Sequence, residues 1–189
     1  TANKEVIAKH GRELFELSAE NDVNLFFEAS VAGGIPIIKP MKECLSANKI
    51  VKIMGILNGT TNYILSQMTE QEKSFDEALK EAQLEGYAES DPTDDIKGYD
   101  AARKLAILSS IAFNTRITSD QVYTEGIDSV SKADIQYARE MGQVIKLIAL
   151  GKKHEDSVEV SVTPVLLPKD HPLASVSGSF NAIMAEGNA

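Results

Sequence analysis

The spacing of apolar residues along the chain predicts helices and strands in a mixed order. Residues 3–20 place Val6, Ile7, Leu14 and Leu17 near a helical period, which predicts a helix with a break at Gly11. The other predicted helices cover 40–47, 60–70, 74–86, a stretch that ends at about 113, and 131–142. The predicted strands cover 23–30, 49–57, 121–126, 144–153 and 157–166.

Short polar signals set the predicted boundaries of these elements. Asn58-Gly59 ends the strand before it, and Thr60 or Thr61 is placed to cap the helix that follows. Ser74 and Glu77 have capping-box spacing, and Gly86 is a typical helix stop.

The order of the elements indicates the fold class. Helices and strands are mixed without a regular βα alternation, and the pair over 144–166 is predicted to be an antiparallel hairpin. Proline residues punctuate the chain after 166, and no regular element is predicted there. The pattern favours one α+β domain over residues 1–189, with helices covering a mixed β-sheet.

The composition indicates which binding partners and which cellular compartment to expect. The 189 residues are 43% hydrophobic and carry a net charge of −9, and the lysines are dispersed, so a nucleic-acid interface is not expected. No apolar run is long enough for a membrane span, and the first residues do not resemble a signal peptide, which predicts a cytoplasmic protein. A single cysteine, Cys44, excludes an internal disulfide and is expected to be a small buried hydrophobe. The three histidines are isolated, so no zinc site is expected.

The stretch GYAESDPTDDIKGYDAARKL, residues 86–105, concentrates the candidate chemistry. On a helical wheel Asp100 and Lys104 fall on the apolar face, together with Ile107, Leu108 and Ile111, so the charged pair is predicted to face inward. Burial lowers the pKa of a lysine, and a neighbouring carboxylate raises it again. Such opposed effects on the pKa can produce a lysine that gives up its proton near neutral pH and so acts as a general acid.

The other carboxylates of this stretch have open assignments. Asp94 or Asp95 is expected to cap the following helix, and Asp91-Pro92 is a turn signal, which leaves Glu89 and one aspartate unassigned. Carboxylates that converge beside a lysine suit a cation, either a metal ion or the ammonium group of a ligand. The EF-hand spacing is absent, which disfavours Ca²⁺. The segment GILNGTTNYIL could offer N–H and hydroxyl groups to an anion, so a zwitterion would suit both sites.

Three motifs resemble those of one enzyme family. The pattern D-P-x-D-D-I-x-G-x-D-x-x-x-K, ending at Lys104, resembles the signature of homoserine dehydrogenases, and GILNGTTNYIL and EASVAGGIPII resemble that family's flanking motifs. The resemblance implies the fold of the family's catalytic domain, similar to the C-terminal domain of glyceraldehyde-3-phosphate dehydrogenase. It also implies NAD(P)-dependent reduction of L-aspartate 4-semialdehyde to L-homoserine, on the route to threonine, methionine and isoleucine, by a homodimer.

The resemblance also implies roles for individual residues. Lys104 matches the proton donor, Lys4 matches a second functional lysine near the nicotinamide, and Asp100 matches both a catalytic and a substrate-binding position. The further substrate contacts are matched by Glu89, Asp95, Gly59 and Thr60. The resemblance further implies a monovalent cation such as Na⁺, held largely through backbone carbonyls at the positions of Glu28, Val31, Gly33 and Ile35. For Glu28 a buried structural acid at a strand end is an equally weighted alternative.

The sequence departs from the family in one respect. No G-x-G-x-x-G follows a strand, whereas family members carry a Rossmann domain that binds the dinucleotide. The chain is therefore expected to be the catalytic and dimerisation region without that domain, and to be inactive alone.

Two other functions stay open at this point. One is a non-catalytic dimerisation module, which predicts that Asp100 and Lys104 are sealed by side chains. The other is a divalent-metal hydrolase, which predicts that two or three of Glu89, Asp91, Asp94 and Asp95 converge.

Overall fold

A computed structural model describes residues 1–188, which form a five-stranded sheet covered by helices. Across the sheet the strands have the order β2 (Tyr123–Thr124), β4 (Val158–Pro168), β3 (Gln143–Lys153), β1 (Ile50–Ile56) and β5 (Ala182–Gly187). The β2–β4 pair is parallel and the other three pairs are antiparallel, so the sheet is mixed. The predicted α+β class and the predicted hairpin of β3 and β4 are confirmed.

The elements have the following bounds. The helices are α1 (Lys4–Glu20), α2 (Gly59–Glu70), α3 (Phe75–Leu84), α4 (Thr93–Ile96), α5 (Tyr99–Ala112) and α6 (Lys132–Glu140). The strands are β1 (Ile50–Ile56), β2 (Tyr123–Thr124), β3 (Gln143–Lys153), β4 (Val158–Pro168) and β5 (Ala182–Gly187). Short 3₁₀ turns cover Glu28–Ser30, Ser119–Gln121 and Pro172–Ser175, and a π-helical turn covers Pro40–Cys44.

Local sequence signals predict one helix cap correctly, but they do not always predict correctly which segments pair as strands. The capping box of Ser74 and Glu77 is present. The predicted break at Gly11 is wrong, because Gly11 is buried within a continuous α1. The predicted strand over 23–30 is wrong, since this segment has no partner strand among residues 1–188 and ends in a 3₁₀ turn.

Three other predictions need correction. The cap of α2 is Asn58, not Thr60 or Thr61. The predicted strand over 121–126 shrinks to the two residues of β2, and β5 was not predicted. Pairing with β1 specifies β5, because its own sequence contains few residues that favour strands.

Helix α5 is the centre of the core and positions the candidate site. Leu105 and Leu108 are fully buried, and α5 contacts β1, β3 and β4. The face opposite the charged pair is also buried, since Ala106 and Ser109 have no exposed surface. Gly151 of β3 makes room for Ser109, because a Cβ there would lie 2.6 Å from the serine Oγ. The inward orientation predicted for Asp100 and Lys104 is confirmed, and the helix is buried nearly all round.

Two predictions about composition have different outcomes. Cys44 is exposed at the end of the π-helical turn, so the expectation of a buried cysteine is wrong. Within residues 1–188, the structure contains no helix that is both long and apolar enough to cross a membrane.

Candidate active site

Two lysines from different helices converge on one buried carboxylate. Asp100, at the start of α5, is 4% exposed. Its Oδ1 lies 2.6 Å from Nζ of Lys4 in the first turn of α1, and its Oδ2 lies 2.7 Å from Nζ of Lys104. Lys104 also donates a hydrogen bond of 2.9 Å to the carbonyl of Leu57, directly after β1. The cluster therefore joins α1, α5 and the end of β1 at one point.

Asn58 links this cluster to a second carboxylate. Its side-chain Nδ2 donates to Oδ2 of Asp100 at 2.9 Å and to Oδ1 of Asp95 at 2.7 Å. Its Oδ1 accepts from the backbone N–H of Thr61 at 2.8 Å, which caps α2. From the sequence, Asn58 is expected only to end the strand before it. Its capping position was a local signal, but its bridge between two carboxylates is a tertiary contact that spacing does not reveal.

Asp100 is charged because its partners outweigh its burial. Burial raises the pKa of this carboxyl. The charge of Lys104 and the hydrogen bonds from Lys104, Lys4 and Asn58 lower the pKa by more than burial raises it, so the net pKa lies below the ordinary value. Both oxygens are occupied by these three donors. Asp100 therefore acts at this site as the anion that orients two ammonium groups.

A glycine sets the direction of α5. Gly98 precedes the helix with a φ of 81°, and a Cβ there would lie 3.0 Å from Cγ2 of Thr124. This close approach fixes the helix start against β2 and places Asp100 beneath Leu57 and Asn58. The prediction that Asp94 or Asp95 caps α5 is wrong, because neither side chain caps it. Asp94 pairs with Arg103, and Asp95 accepts from Asn58.

The remaining predicted substrate contacts surround the start of α2. The hydroxyl of Thr60 donates to the carbonyl of Tyr87 at 2.7 Å, which fastens the loop that leads to Glu89. Glu89 is exposed, and its carbonyl accepts from Gln83. Gly59 lies close to another segment, since a Cβ there would be 2.7 Å from the carbonyl oxygen of Ser179. The structure thus groups Thr60, Gly59, Asp95 and Asp100 around Asn58, while the contact of Glu89 with a substrate stays a prediction.

At the predicted cation site, the side chain of Glu28 is already hydrogen-bonded to the protein backbone. The Glu28 carboxylate accepts hydrogen bonds from the backbone N–H groups of residues 37–39, so this side chain fastens the turn before the π-helix. In the described part of the chain, the carbonyls of Val31, Gly33 and Ile35 accept no backbone hydrogen bond. These three oxygens, like that of Gly34, are therefore open to a monovalent cation.

The acidic stretch does not assemble a divalent-metal site. Asp91 accepts from Thr93, Asp94 pairs with Arg103, and Asp95 accepts from Asn58. Among residues 1–188, no group of three or more His, Cys, Asp or Glu side chains could hold a metal ion. The convergence that a divalent-metal hydrolase requires is therefore not found in this region.

The lysine cluster is partly open to solvent. The side chain of Lys104 is 16% exposed and that of Lys4 is 37% exposed, so the cluster is not sealed as a purely structural module would require. A groove of about 450 Å³ runs between α1 and α5 and is lined by Ile7, Phe15, Phe27 and Ile107, but not by the charged cluster.

Comparison with known proteins assigns the chain to a family. The family model for homoserine dehydrogenase matches residues 36–189. A homoserine dehydrogenase from Synechocystis sp. is 52% identical over 192 residues, which cover 100% of this chain and 44% of that protein. The chain therefore spans less than half the length of this relative.

Solved structures agree with this assignment. A homoserine dehydrogenase from Thiobacillus denitrificans is 48% identical, with a TM-score of 0.97 over 100% of this chain and 44% of its own. A hyperthermophilic archaeal homoserine dehydrogenase mutant, solved in complex with NADPH, is 34% identical with a TM-score of 0.84, over 100% of this chain and 54% of its own. Sequence, family model and fold agree over most of the chain, and the protein belongs to the homoserine dehydrogenase family of oxidoreductases.

Proposed function

We propose that the full-length protein reduces L-aspartate 4-semialdehyde to L-homoserine with NAD(P)H. This chain would be its catalytic and dimerisation domain, over residues 1–189, and a Rossmann domain in the rest of the protein would bind the dinucleotide. The observation that carries the proposal is the convergence of Lys4 and Lys104 on the two oxygens of buried Asp100. The isolated chain is not expected to turn over.

The geometry supports a proton-donor role for Lys104. When bound, the nicotinamide cofactor supplies a hydride to the aldehyde carbon, so negative charge develops on the aldehyde oxygen. Lys104 would stabilise that charge and donate its proton to the oxygen. Its bonds to Asp100 and to the Leu57 carbonyl fix the direction of the amine before the reaction. Lys4, at the start of α1, is the residue of this chain that would lie beside the nicotinamide.

The carboxylates would bind the amino-acid end of the substrate. Asp100 is already occupied by three donors, so its contribution is to position the lysines and to add negative charge. Asp95 has one oxygen bonded to Asn58 and a second oxygen for a ligand. Together with Glu89 it would accept from the substrate ammonium, and Gly59 and Thr60 would frame the same end.

A monovalent cation such as Na⁺ would fit the loop over residues 31–35. The unpaired carbonyls of Val31, Gly33 and Ile35 are neutral oxygen donors, which suit a singly charged ion. The cation would hold the loop in shape and would take no part in proton transfer. The Glu28 side chain contributes indirectly, because it fastens residues 37–39.

A homodimer is supported by the sheet face that is turned away from α5. Gly151 faces Ser109 of α5, so Leu150 and Lys152 point to the other side. There Leu150 pairs with Met54, and Met54 with Met184, to form an apolar row. Beside it runs a charged row with acids at both ends, Glu186, Lys52, Lys152 and Glu159. The apolar row is the part of this face that a second copy of the chain could cover in a two-fold interface.

The experiment that tests the function uses the full-length protein. NADPH oxidation is measured with aspartate 4-semialdehyde, with and without a chelator of divalent metals. We expect reduction that the chelator does not affect; no reduction, or loss of activity with the chelator, would overturn the proposal. Glu89→Gln should raise the KM for the aldehyde, while Glu85→Gln, on the same exposed loop, should behave as wild type. The biosynthetic route and the cytoplasmic location stay predictions.

A further inference from the structure

The segment over residues 176–181 is fastened along one face of α2. Asn62 donates from Nδ2 to the carbonyls of Val176 at 3.0 Å and Phe180 at 3.1 Å. One turn later, Oγ of Ser66 accepts from the backbone N–H of Gly178 at 3.1 Å. Both ends and the middle of the segment are therefore held by the helix whose first residues frame the candidate active site.

A buried lysine completes this attachment. Lys146 of β3 is 4% exposed, and its Nζ donates to the carbonyl of Val176 at 2.6 Å and to Oδ1 of Asn62 at 3.0 Å. Both acceptors are neutral. Burial lowers the pKa of Lys146 to about 8, and the more distant charge of Glu70 only partly opposes this effect. Within residues 1–188 this buried ammonium has no carboxylate partner, which is costly, so we expect it to serve a specific task.

The same segment reaches two glycines beside the candidate site. The carbonyl oxygen of Ser179 lies 2.7 Å from the position of a Cβ on Gly59. Nδ2 of Asn181 lies 3.7 Å from the position of a Cβ on Gly33. One of these glycines belongs to the start of α2 and the other to the loop over 31–35. The segment therefore spans the gap between the proposed substrate contacts and the proposed cation loop.

Asn181 carries a polar atom that the described residues leave unsatisfied. Its Oδ1 is buried and has no hydrogen-bond partner within residues 1–188. Ala182 pairs with Ile56, so Asn181 is next to Leu57, whose carbonyl accepts from Lys104. Buried acceptors are nearly always paired in folded proteins. An unpaired amide oxygen at this place leaves room for a donor from outside residues 1–188, such as a ligand.

We propose that the segment over 176–181 is a wall of the substrate site, that Lys146 positions it, and that Oδ1 of Asn181 accepts from the substrate ammonium. The inference rests on the proposed function. The ammonium is the only hydrogen-bond donor of aspartate 4-semialdehyde, since its aldehyde and carboxylate groups are acceptors. It has three N–H bonds, which Glu89, Asp95 and Asn181 would share.

The test of the contact is Asn181→Leu in the full-length protein, because leucine has a similar size and no polar atom. We expect the KM for aspartate 4-semialdehyde to rise about tenfold or more, which is the loss expected for a hydrogen bond to a charged group. The kcat and the KM for NADPH should stay within about threefold of wild type. The melting temperature should not fall, because the substitution removes an unpaired buried atom.

A substrate without the amino group gives the decisive comparison. Succinate semialdehyde has no ammonium, so Asn181→Leu should leave its kcat/KM unchanged while lowering that of aspartate 4-semialdehyde. Equal losses for both aldehydes, or an unchanged KM for aspartate 4-semialdehyde, would overturn the contact. If the wild-type protein reduced neither aldehyde, the proposed function itself would fail, which is a separate result.

The positioning role is tested with Lys146→Met against Lys169→Met, a control at an exposed lysine directly after β4. We expect the KM for aspartate 4-semialdehyde to rise several-fold in the first variant only, with faster hydrogen exchange at the Gly178 amide. Wild-type KM and exchange in a folded Lys146→Met protein would overturn the role. If that variant does not fold, Ser66→Ala removes one attachment without touching a charge. It should raise the same KM, and an unchanged KM would overturn the role.

Discussion

Replacing Asp100 by asparagine removes the charge that holds two ammonium groups together while keeping the shape of the side chain. The Lys104 amine lies 2.7 Å from Oδ2 and is mostly buried, whereas Lys4 is 37% exposed and its contribution is reduced by solvent. Removing one partner of a buried ion pair typically costs about 3–5 kcal/mol. We expect Asp100→Asn to lower the free energy of unfolding by about that amount at pH 7, and to reduce turnover by about 100-fold or more because the proton donor loses its orientation.

The assay is urea unfolding of the full-length protein, followed by fluorescence and by loss of activity. Asp94→Asn is the matched control, because Asp94 is an exposed acid of the same stretch paired with Arg103. Asp94 is 64% exposed while Arg103 is 17% exposed, so solvent weakens this pair from the acid's side, and the control should lose no more than about 1 kcal/mol. Equal unfolding midpoints and equal turnover for Asp100→Asn and Asp94→Asn would refute the view that Asp100 organises the site.

The pH dependence gives this prediction a second test. The pKa of Asp100 is depressed in the folded protein, so the carboxylate stabilises the fold fully above its unfolded pKa of about 3.9. That stabilisation is lost as the pH falls through the lower, folded value. The wild type should therefore lose stability more steeply than Asp100→Asn below about pH 4, and the difference between them should shrink there. A constant difference down to pH 2 would contradict the assigned pKa shift.

Three further predictions follow from single contacts. Burial depresses the pKa of Lys146 to about 8, so below that pH the lysine is protonated in both the folded and the unfolded protein. Between about pH 8 and 10.4 only the unfolded protein holds the proton, so the free energy of unfolding should rise with pH, by up to roughly 3 kcal/mol. Lys146→Met should lack that rise. Asn58→Ala should lower the free energy of unfolding in urea by about 1–2 kcal/mol through loss of the α2 cap, and should raise the KM for aspartate 4-semialdehyde by freeing Asp95. Gly126→Ala should lower the melting temperature, because its Cβ would lie 2.2 Å from the Ile96 carbonyl oxygen, whereas Gly34→Ala has open space and should not.

The sequence predicts those parts of the site that depend on one element. The helical period places Asp100 and Lys104 on the buried side of α5, and the structure confirms it. The approach of Lys4 to Asp100 depends on how α1 packs on α5, and no local pattern encodes that packing. The resemblance to the family named Lys4 without giving its partner. The bridge made by Asn58 was missed for the same reason.

The errors in the fold also have a common physical cause. The segment over 23–30 is rich in residues that favour strands, but a strand requires a neighbour, and none is present within residues 1–188. Strand β5 is the opposite case: its sequence has a weak strand preference, but it forms a strand because it pairs with β1. Capping boxes are local, so the one at Ser74 could be predicted correctly.

We propose that Lys104 donates the proton to the aldehyde oxygen. The most direct measurement is steady-state reduction of aspartate 4-semialdehyde by full-length Lys104→Ala, together with NADPH binding by fluorescence titration. We predict that turnover is lost while the Kd for NADPH stays within about threefold of wild type, because Lys104 contacts Asp100 and Leu57 rather than the proposed dinucleotide site. Turnover equal to wild type in this variant would contradict the proton-donor role proposed for Lys104.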